Sequence, residues 1–424
     1  MRITINAFGT RGDIQPYLAL GRGLQHAGHQ VRLSTHKIFE TFVCQHELEF
    51  FPLNLDPRQV LINQSITELG NNSFRVMRWI QENFKPVMRE IFHNTLQSAQ
   101  EADLLLNSAL SFAGWHVAQK LNLPAIGAYL QPLMPSHELP NGLGAIPPAW
   151  LPLRGVYNYL STKLTNQFLF NMLRPLTNTC REEILDLPPL NAAYYWSLDS
   201  PSGDTPILYG YSSHVVPKPS DWGSNQQIAG YWFLDQAQDY QPPDALVNFL
   251  EGGPPPVYVG FGSMVDHERR EVTRLVVEAL EGSGQRAVLL GGWSDLGNST
   301  LPDFIFWSET LPHDWLFSHM AAVVHHGGAG TTAAGLRAGK PTVIVPFFGD
   351  QFFWGWQVYR LGAGPKPIPR KKLSVEKLAS AIQQAVNDKS IQQSAARLGE
   401  NIRSENGVEK AVRLIERYAH IGHF

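Results

Sequence analysis

Residues suited to binding an anionic ligand are concentrated between Ala322 and Gln351. His325-His326 precedes the small residues Gly327–Gly330, and Asp350-Gln351 ends the stretch. Glycines let backbone N–H groups approach a ligand, and a helix N-terminus favours an anion such as phosphate. The stretch therefore predicts a nucleotide or nucleotide-sugar site.

The histidines allow more than one interpretation. His326 is either a hydrogen-bonded histidine at a strand end or a donor to an anionic oxygen beside the glycine amides. The spacing of His313, His319, His325 and His326 resembles a metal set. No nearby cysteine or organised carboxylate completes it, so we predict no metal site.

Two further candidates carry carboxylates at strand ends. Asp350 and Gln351 are either polar loop residues that cap a helix or a pair that binds a sugar. The second alternative follows because ligands of doubly wound sheets bind at the carboxyl ends of strands. Asp13 follows the first strand and is a favoured N-cap residue, where the helix dipole lowers its pKa. As a catalytic carboxylate in an apolar cleft its pKa would instead rise. The sequence leaves both alternatives open.

The elements that position these residues alternate as strand, helix and strand. The first unit predicts a strand at 3–8, a helix at 14–27 ended by Gly28, and a strand at 31–34. The second predicts strands at 322–324 and 342–345 around a helix at 331–338. Further strands are predicted at 103–107, 125–129, 256–260, 287–290 and 304–307, and further helices at 114–121, 271–280, 375–387 and 391–418. Two doubly wound parallel sheets follow.

Prolines and aromatic residues are dense between Gln131 and Ser200. The aromatic side chains there either fill a core under long loops or wall an apolar pocket for a lipophilic substrate. On the second interpretation, Trp150, Tyr157 and Phe168 are candidate acceptor-binding residues.

Length and composition fit a protein of two domains without a nucleic-acid partner. The chain has 424 residues, 43% hydrophobic and 17% charged, with net charge −3 and two cysteines. The segment from Pro217 to Gln227 reads as the linker. The chain shows no signal peptide and no apolar run of spanning length, so we expect it in the cytoplasm; peripheral membrane contact is left open.

The glycine loop also matches a dinucleotide fingerprint. Gly328-x-Gly330-x-x-Ala333 precedes Asp350 by about 20 residues, as in NAD-dependent enzymes. Too little chain remains after it for the strands of a full dinucleotide domain. A Walker A loop is excluded because Pro341 follows Gly339-Lys340.

Four motifs together resemble a known family: Gly9–Pro16, Pro312–Phe317, His325–Thr332 and Pro346–Gln351. The chain is similar to the UDP-glycosyltransferases of GT-B fold, and most like the sterol 3-beta-glucosyltransferases and related bacterial enzymes. The resemblance implies two Rossmann-like α/β domains facing each other across a cleft. It places an acceptor domain at 1–216, a linker at 217–230, a donor domain at 231–400 and a helix at 401–424 that packs back on the first domain.

The resemblance also implies residue roles. Asp13 stands where many relatives have a catalytic histidine and would be the general base. Asp350 and Gln351 would bind sugar hydroxyls, and Leu311 and His313 would hold the base through backbone groups. The diphosphate would contact Ser263, His326, Gly328, Gly330 and Thr331.

The chain departs from the plant-type signature at four positions. Ala329 and Gly330 replace Trp and Asn, Ala334 replaces the ribose-binding glutamate, and Thr310 replaces the base-stacking tryptophan. Trp307 is the alternative stacking residue. The choice between UDP and dTDP therefore stays open.

The resemblance predicts an inverting transfer of a sugar from a nucleotide-diphosphate sugar, with UDP-glucose the expected donor, to a lipophilic acceptor such as a sterol or polyketide. It implies no metal and no cofactor beyond the nucleotide-sugar co-substrate. Two alternatives remain: an NAD-dependent oxidoreductase using the Gly328-x-Gly330 loop, and a non-catalytic lipid-binding protein.

Overall fold

The computed structural model describes residues 1–55, 84–148, 150–191, 205–235, 240–261, 269–291 and 301–421. Its strands form two parallel sheets, with seven strands in the order β3-β2-β1-β4-β5-β6-β7 and five in the order β10-β9-β8-β11-β12. The strands are β1 Arg2–Asn6, β2 Gln30–His36, β3 Glu49–Leu53, β4 Leu104–Asn107, β5 Ala125–Tyr129, β6 Ile207–Tyr209, β7 Gln226–Ile228, β8 Val257–Gly260, β9 Ala287–Leu290, β10 Ile305–Ser308, β11 Ala322–His325 and β12 Thr342–Ile344.

Helices connect the strands and cover both sheets. In the first half they are α1 Arg11–His26, α2 Glu40–Cys44, α3 Lys85–Ser98, α4 Ala113–Leu121 and α5 Arg154–Glu183. In the second half they are α6 Asp244–Glu251, α7 Arg269–Ser283, α8 His313–Leu316, α9 Ala329–Arg337, α10 Gln351–Arg360, α11 Val375–Asn387, α12 Lys389–Ser404 and α13 Gly407–Ile421. Short 3-10 turns lie at Lys37–Phe39, Phe317–His319 and Arg370–Lys372.

The strand order creates one switch point in each sheet. In the first sheet β1 lies between β2 and β4, and in the second β8 lies between β9 and β11. The connections that leave two neighbouring strands in opposite directions open a crevice at their carboxyl ends, where ligands of such sheets bind. This confirms the predicted fold class, two doubly wound domains.

Both sheets contain apolar strands that are buried on their two faces. Every residue of β4 and of β11 is buried, which is typical of parallel strands packed on both faces. A shared apolar cluster joins the two domains and includes Tyr129 and Tyr209 from the first half with Phe353 and Trp354 from the second.

The last helix packs on the first. Ala411, Val412 and Ile415 of α13 belong to the same buried cluster as β1 and α1. A methyl group at Gly23 of α1 would lie 2.2 Å from a side-chain carbon of Val408, so a side chain at that position would collide with α13.

Three segments differ from the sequence predictions. The 30-residue helix α5 lies in the region for which we had left open a core under long loops or an apolar pocket, and for which we had predicted no helix. Neither α5 nor any other helix within the described ranges has both the length and the apolar character to cross a membrane. The single helix predicted at 391–418 is two helices, α12 and α13, separated after Ser404. The strand β7 lies inside the predicted linker 217–230 and pairs with β6 at the edge of the first sheet. The domain limits themselves stay a prediction.

Candidate active site

Asp13 lies in the first turn of α1, directly after β1. Its Oδ2 accepts hydrogen bonds from the Thr10 backbone N–H at 2.8 Å and from the Thr10 hydroxyl at 2.9 Å. Thr10 is the N-cap residue and Asp13 is its partner in a capping box, three positions on. The alternative that Asp13 is the N-cap itself is therefore wrong. Its Oδ1 accepts no hydrogen bond within the described ranges, which leaves that oxygen for a ligand.

The backbone before Asp13 is shaped for this carboxylate. Gly9 has a φ of +134°, and a methyl group there would lie 2.6 Å from Asp13 Oδ2, so this position requires glycine. The Gly9 N–H donates to His36 Nε2 at 3.1 Å, and His36 Nδ1 lies 2.7 Å from the Leu55 carbonyl. These two bonds specify a neutral His36 with its proton on Nδ1.

Burial decides the acidity of Asp13. Loss of solvation raises the pKa of Asp13 above its ordinary value, and the two Thr10 hydrogen bonds offset only part of that rise. The sequence left open whether the helix dipole or the apolar surroundings would dominate, and the direction of the shift favours the surroundings. A carboxylate with a raised pKa is a stronger base.

Asp350 lies at the start of α10, across the cleft from Asp13. Its Oδ2 accepts a hydrogen bond from Trp354 Nε1 at 3.0 Å rather than from a backbone N–H of the helix. Burial raises the pKa of Asp350 to about 6, with a further contribution from the negative charge of Asp13, while hydrogen bonds from Trp354 and Gln131 lower it. The structure thus brings together carboxylates from the two domains.

Gln351 holds the loop before α10. Its side-chain oxygen accepts the backbone N–H of Phe347 at 2.8 Å and that of Phe348 at 3.3 Å, and the residue is 5% exposed. The Gln351 oxygen therefore fixes the loop that presents Asp350, and the contact of Gln351 with sugar hydroxyls stays a prediction.

Two adjacent histidines lie at the end of β11 and have different environments. His325 is fully buried, and its Nδ1 accepts the Gly327 N–H at 2.9 Å, which closes the turn. His326 lies next to it and borders a cavity. A methyl group at Gly328 would lie 2.6 Å from His326 Nε2, so glycine at 328 leaves room for that ring.

The helix α9 begins at this loop. Gly328 is its N-cap residue, and the Thr332 hydroxyl donates to the Gly328 carbonyl at 2.9 Å. A methyl group at Gly330 would lie 3.4 Å from the Gly12 carbonyl oxygen of the first domain. The N-terminal ends of α1 and α9 therefore face each other across the cleft, and both favour negative charge there.

A cavity of about 210 Å³ lies at the switch point of the second sheet. It is lined by Tyr258, Gly260, Leu290, Gly291, Glu309, His313, His326 and Thr331. Gly260 ends β8 and Thr331 lies in the first turn of α9, so the cavity occupies the crevice expected for a nucleotide ligand.

His313 forms one wall of this cavity. Its Nε2 lies 3.2 Å from the Tyr258 hydroxyl, and its ring stacks on Phe317 with centroids 4.6 Å apart. Burial, together with the positive charge of Arg11 in the first domain, lowers the pKa of His313 to about 4. Leu311 is 6% exposed, and the contact of its backbone with a base stays a prediction.

Burial also lowers the pKa of His326 to about 4. Near neutral pH this imidazole is uncharged and has a single N–H to donate. His326 therefore suits hydrogen bonding to a phosphate oxygen rather than a permanent ion pair.

The three candidate acceptor residues lie outside the cavity. Trp150 is 79% exposed, Phe168 is 56% exposed and Tyr157 is 39% exposed. They are not part of a core under loops, so that alternative is wrong for these three, although Phe170 in the same region is buried. Their acceptor role stays a prediction.

Ser263 and Trp307 are the two remaining candidate residues. Ser263 lies in the range 262–268, outside the described residues, and its diphosphate contact stays a prediction. Trp307 is 40% exposed at the end of β10, near the rim of the second sheet where Glu309 follows. Within the part of the chain that the structure describes, no group of three or more His, Cys, Asp or Glu side chains is placed to hold a metal ion.

Sequence reasoning missed Gln131, Glu309, Arg11 and Trp354. Gln131 follows β5 and Glu309 follows β10 directly, so both are polar residues at the carboxyl ends of strands. The rule that selected Asp350 could have selected them too. Arg11 and Trp354 offered no such signal, because their contacts depend on how the domains and the first turn of α10 are arranged.

Known glycosyltransferases share this architecture over the full chain. The structure matches that of the glycotransferase of kitacinnamycin with a TM-score of 0.72 and 19% identity, covering 98% of each chain. It matches CalG4, the calicheamicin glycosyltransferase, with a TM-score of 0.65, 17% identity and coverage of 99% and 98%. These likenesses show the fold, a GT-B glycosyltransferase fold.

Sequence comparisons define the family. Residues 3–135 match the glycosyltransferase family 28 N-terminal domain, and residues 291–416 match the C-terminal domain described as erythromycin biosynthesis protein CIII-like. The chain is 38% identical to two sterol 3-beta-glucosyltransferases of Arabidopsis thaliana, over 97% and 99% of its length. It belongs to the glycosyltransferase family that contains these enzymes, and not to the dehydrogenases that the Gly328-x-Gly330 loop had left open as an alternative.

The relatives differ from this chain in length. The chain spans 65% and 68% of the two Arabidopsis enzymes and 29% of a sterol 3-beta-glucosyltransferase of Neosartorya fischeri, to which it is 37% identical. It therefore corresponds to a part of each of these proteins.

Proposed function

We propose that this protein transfers glucose from UDP-glucose to the hydroxyl of a sterol or a similar rigid lipophilic alcohol, with inversion at the anomeric carbon. The observation that carries the proposal is the pairing of Asp13 with Asp350 across the cleft, beside the cavity at the start of α9. Relatives described as sterol 3-beta-glucosyltransferases support the acceptor class.

The acceptor hydroxyl would lie against Asp13 Oδ1. As its oxygen attacks the anomeric carbon, Asp13 takes the proton, a new C–O bond forms, and the bond from that carbon to the diphosphate breaks. The capping box holds Oδ2 through Thr10, which keeps the other oxygen oriented toward the substrate. The raised pKa of Asp13 favours this proton transfer.

The departing diphosphate carries the charge that must be stabilised. The N-terminus of α9 supplies the backbone N–H groups near Gly328 and Gly330, and His326 and Thr331 line the same space. Arg11 adds positive charge from the opposite domain. In this arrangement the protein's own donors stabilise the leaving group, and Ser263 is a further proposed contact.

The donor would occupy the cleft in a fixed direction. The nucleoside would lie along Leu311 and His313, and the sugar hydroxyls would reach Asp350 and the Gln351 amide. A glycosyltransferase of the same fold, VinC, was solved in complex with dTDP, at 18% identity and a TM-score of 0.65. For this chain we propose UDP, with dTDP as the competing nucleotide.

A direct test incubates the purified protein with UDP-glucose or dTDP-glucose and a panel of alcohols, and reads the products by mass spectrometry. We expect glucosylated sterol with UDP-glucose, and slower transfer from the dTDP donor. Glucosylation of small polar alcohols in preference to sterols would contradict the acceptor class. Binding of NAD without binding of UDP would contradict the glycosyltransferase assignment of the cavity.

A further inference from the structure

Two arginines from the two halves of the chain meet at one tryptophan ring. Arg154 begins α5 in the first half, and Arg360 ends α10 in the second. Their guanidinium carbons lie 5.8 Å and 5.4 Å from the centre of the Trp356 ring. Both distances are within the range of a cation–π contact, so one indole holds two cations.

The two guanidinium groups lack an acidic partner. Within the residues that the structure describes, neither forms an ion pair, and Arg360 Nε donates to Gln357 Oε1 at 3.2 Å. Arg154 Nε is shielded from solvent and has no hydrogen-bond acceptor among the same residues. Burial, followed by the positive charge of Arg154, lowers the pKa of Arg360. The two cations therefore repel each other without a counter-charge between them.

The acidic side chains beside the start of α5 have other partners. Asn158, in the second turn of α5, donates to the His137 carbonyl at 3.1 Å. There, Asp221 accepts the His137 backbone N–H at 2.6 Å and lies 2.9 Å from His137 Nδ1. Glu138 accepts the Ser220 backbone N–H at 3.0 Å. These carboxylates are thus engaged in holding the loops around α5, and they leave the arginines without a counter-ion.

The N-terminus of α5 adds to the positive charge. This helix of 30 residues begins at Arg154 itself, and its N-cap residue, Leu153, makes no side-chain capping hydrogen bond. The first backbone N–H groups of a helix have no acceptor within the helix and carry a partial positive charge. An oxyanion at this point would accept hydrogen bonds from them and neutralise the guanidinium groups.

We propose that Arg154, Arg360 and the N-terminus of α5 form a binding site for an oxyanion of the phosphate class, which would bridge the two domains. The planar guanidinium groups match the oxygens of phosphate. The ligand is either a free phosphate ion or the phosphate group of a larger molecule.

This site is distinct from the candidate donor site. Neither arginine lines the cavity at the start of α9. Arg360 is at the opposite end of α10 from Asp350, a separation of roughly 15 Å along the helix axis. The proposal therefore does not depend on the proposed function.

The test measures phosphate binding by calorimetry and by thermal melting, with saturating UDP present to occupy the donor cavity. Sodium phosphate replaces sodium chloride at constant ionic strength, and glycerol phosphate replaces it in a second series. Wild type is compared with Arg154→Gln and with Arg360→Gln. Arg397→Gln is the matched control, because Arg397 is an exposed arginine on α12. A cooperative melting transition in chloride checks that each variant is folded.

We expect phosphate to raise the melting temperature of wild type and of Arg397→Gln. Each of the other two variants should bind phosphate at least about tenfold more weakly, because a charge-assisted hydrogen bond is lost. Binding of glycerol phosphate with the same dependence on both arginines would identify a phosphate group of a larger molecule as the ligand. Binding of inorganic phosphate alone would identify the free ion.

Two results would overturn the proposal: no effect of phosphate on wild type beyond that of chloride, or an equal response of wild type, Arg154→Gln and Arg360→Gln. A protein that fails to bind UDP or to glucosylate any alcohol contradicts the proposed function instead. The comparison of the arginine variants still decides the oxyanion site in that case, because it does not require a functional donor site.

Discussion

At the scale of single residues, the site contains side chains whose pKa values differ from their ordinary values. Burial raises the pKa of Asp13 and brings that of Asp350 to about 6, while it lowers the pKa of both His313 and His326 to about 4. The cleft then has two carboxylates that hold a proton more tightly than exposed ones, and near neutral pH its two imidazoles are uncharged. This is a suitable environment for taking a proton from an alcohol and receiving a diphosphate.

Asp350 gives a prediction in which stability and activity move in opposite directions. Its raised pKa means that the protonated form is favoured in the folded state, a stabilisation that is complete below the unfolded pKa and lost as pH rises through about 6. Asp350→Asn is neutral and keeps an oxygen for Trp354 Nε1. We expect the variant to be more stable than wild type at pH 8, by up to about 3 kcal/mol, with the difference vanishing toward pH 4.

Urea unfolding across this pH range measures the effect, and the rate of sugar transfer should fall at the same time. A variant that is less stable than wild type at pH 8, or a stability difference independent of pH, would show that Asp350 is not a strained carboxylate.

At the scale of elements, the site is built where helices begin. The first turn of α1 carries Asp13 in a capping box, the first turn of α9 lies at the cavity, and Asp350 and Gln351 start α10. Each helix follows a buried parallel strand, so local sequence fixes the position of each group relative to its sheet. The cap at Thr10 has a second function, because the same hydrogen bonds that begin α1 lower the pKa of Asp13 and offset part of the rise that burial causes.

Thr10→Val tests this link between cap and base. It removes the hydroxyl bond that lowers the pKa of Asp13, so that pKa should rise and the acidic limb of kcat/KM should move to higher pH. The lost cap should cost about 1 kcal/mol of stability. Ser374→Ala is the matched control, since Ser374 caps α11 by accepting the Lys377 N–H. A pH profile that moves equally in both variants, or toward lower pH in Thr10→Val, would disprove the link.

The elements also show what could be predicted from sequence. Strands β5 and β9 have the predicted limits because they are short runs that are buried along their whole length, and helix α11 because its buried residues recur at helical spacing. The loop at 327–330 and the residues Asp13 and Asp350 could be identified because they follow predicted strands, and ligands of parallel sheets bind at the carboxyl ends of strands. Helix α5 was missed because the first half of the helix buries the polar residues Asn158, Thr162 and Asn166 and exposes leucines, which is the reverse of the usual amphipathic pattern.

At the scale of the whole molecule, the chemistry depends on two domains meeting. Gly330 approaches the Gly12 carbonyl, Gln131 lowers the pKa of Asp350, and Arg11 acts on His313, each across the cleft. None of these relations follows from local sequence, because each joins residues more than 200 positions apart. The shared core around Trp354 and the return of α13 onto α1 hold the halves in this arrangement.

The central claim is that Asp13 of one domain removes the proton from an acceptor while the other domain holds the donor. The most direct test is a pair of measurements on Asp13→Asn: calorimetric affinity for UDP, and the single-turnover rate of glucose transfer to sterol. Asp388→Asn is the control, because Asp388 caps α12 and lies outside the cavity. We expect Asp13→Asn to leave UDP affinity unchanged and to slow transfer at least about a hundredfold, while the control is unaffected. Transfer by Asp13→Asn at near the wild-type rate would contradict it.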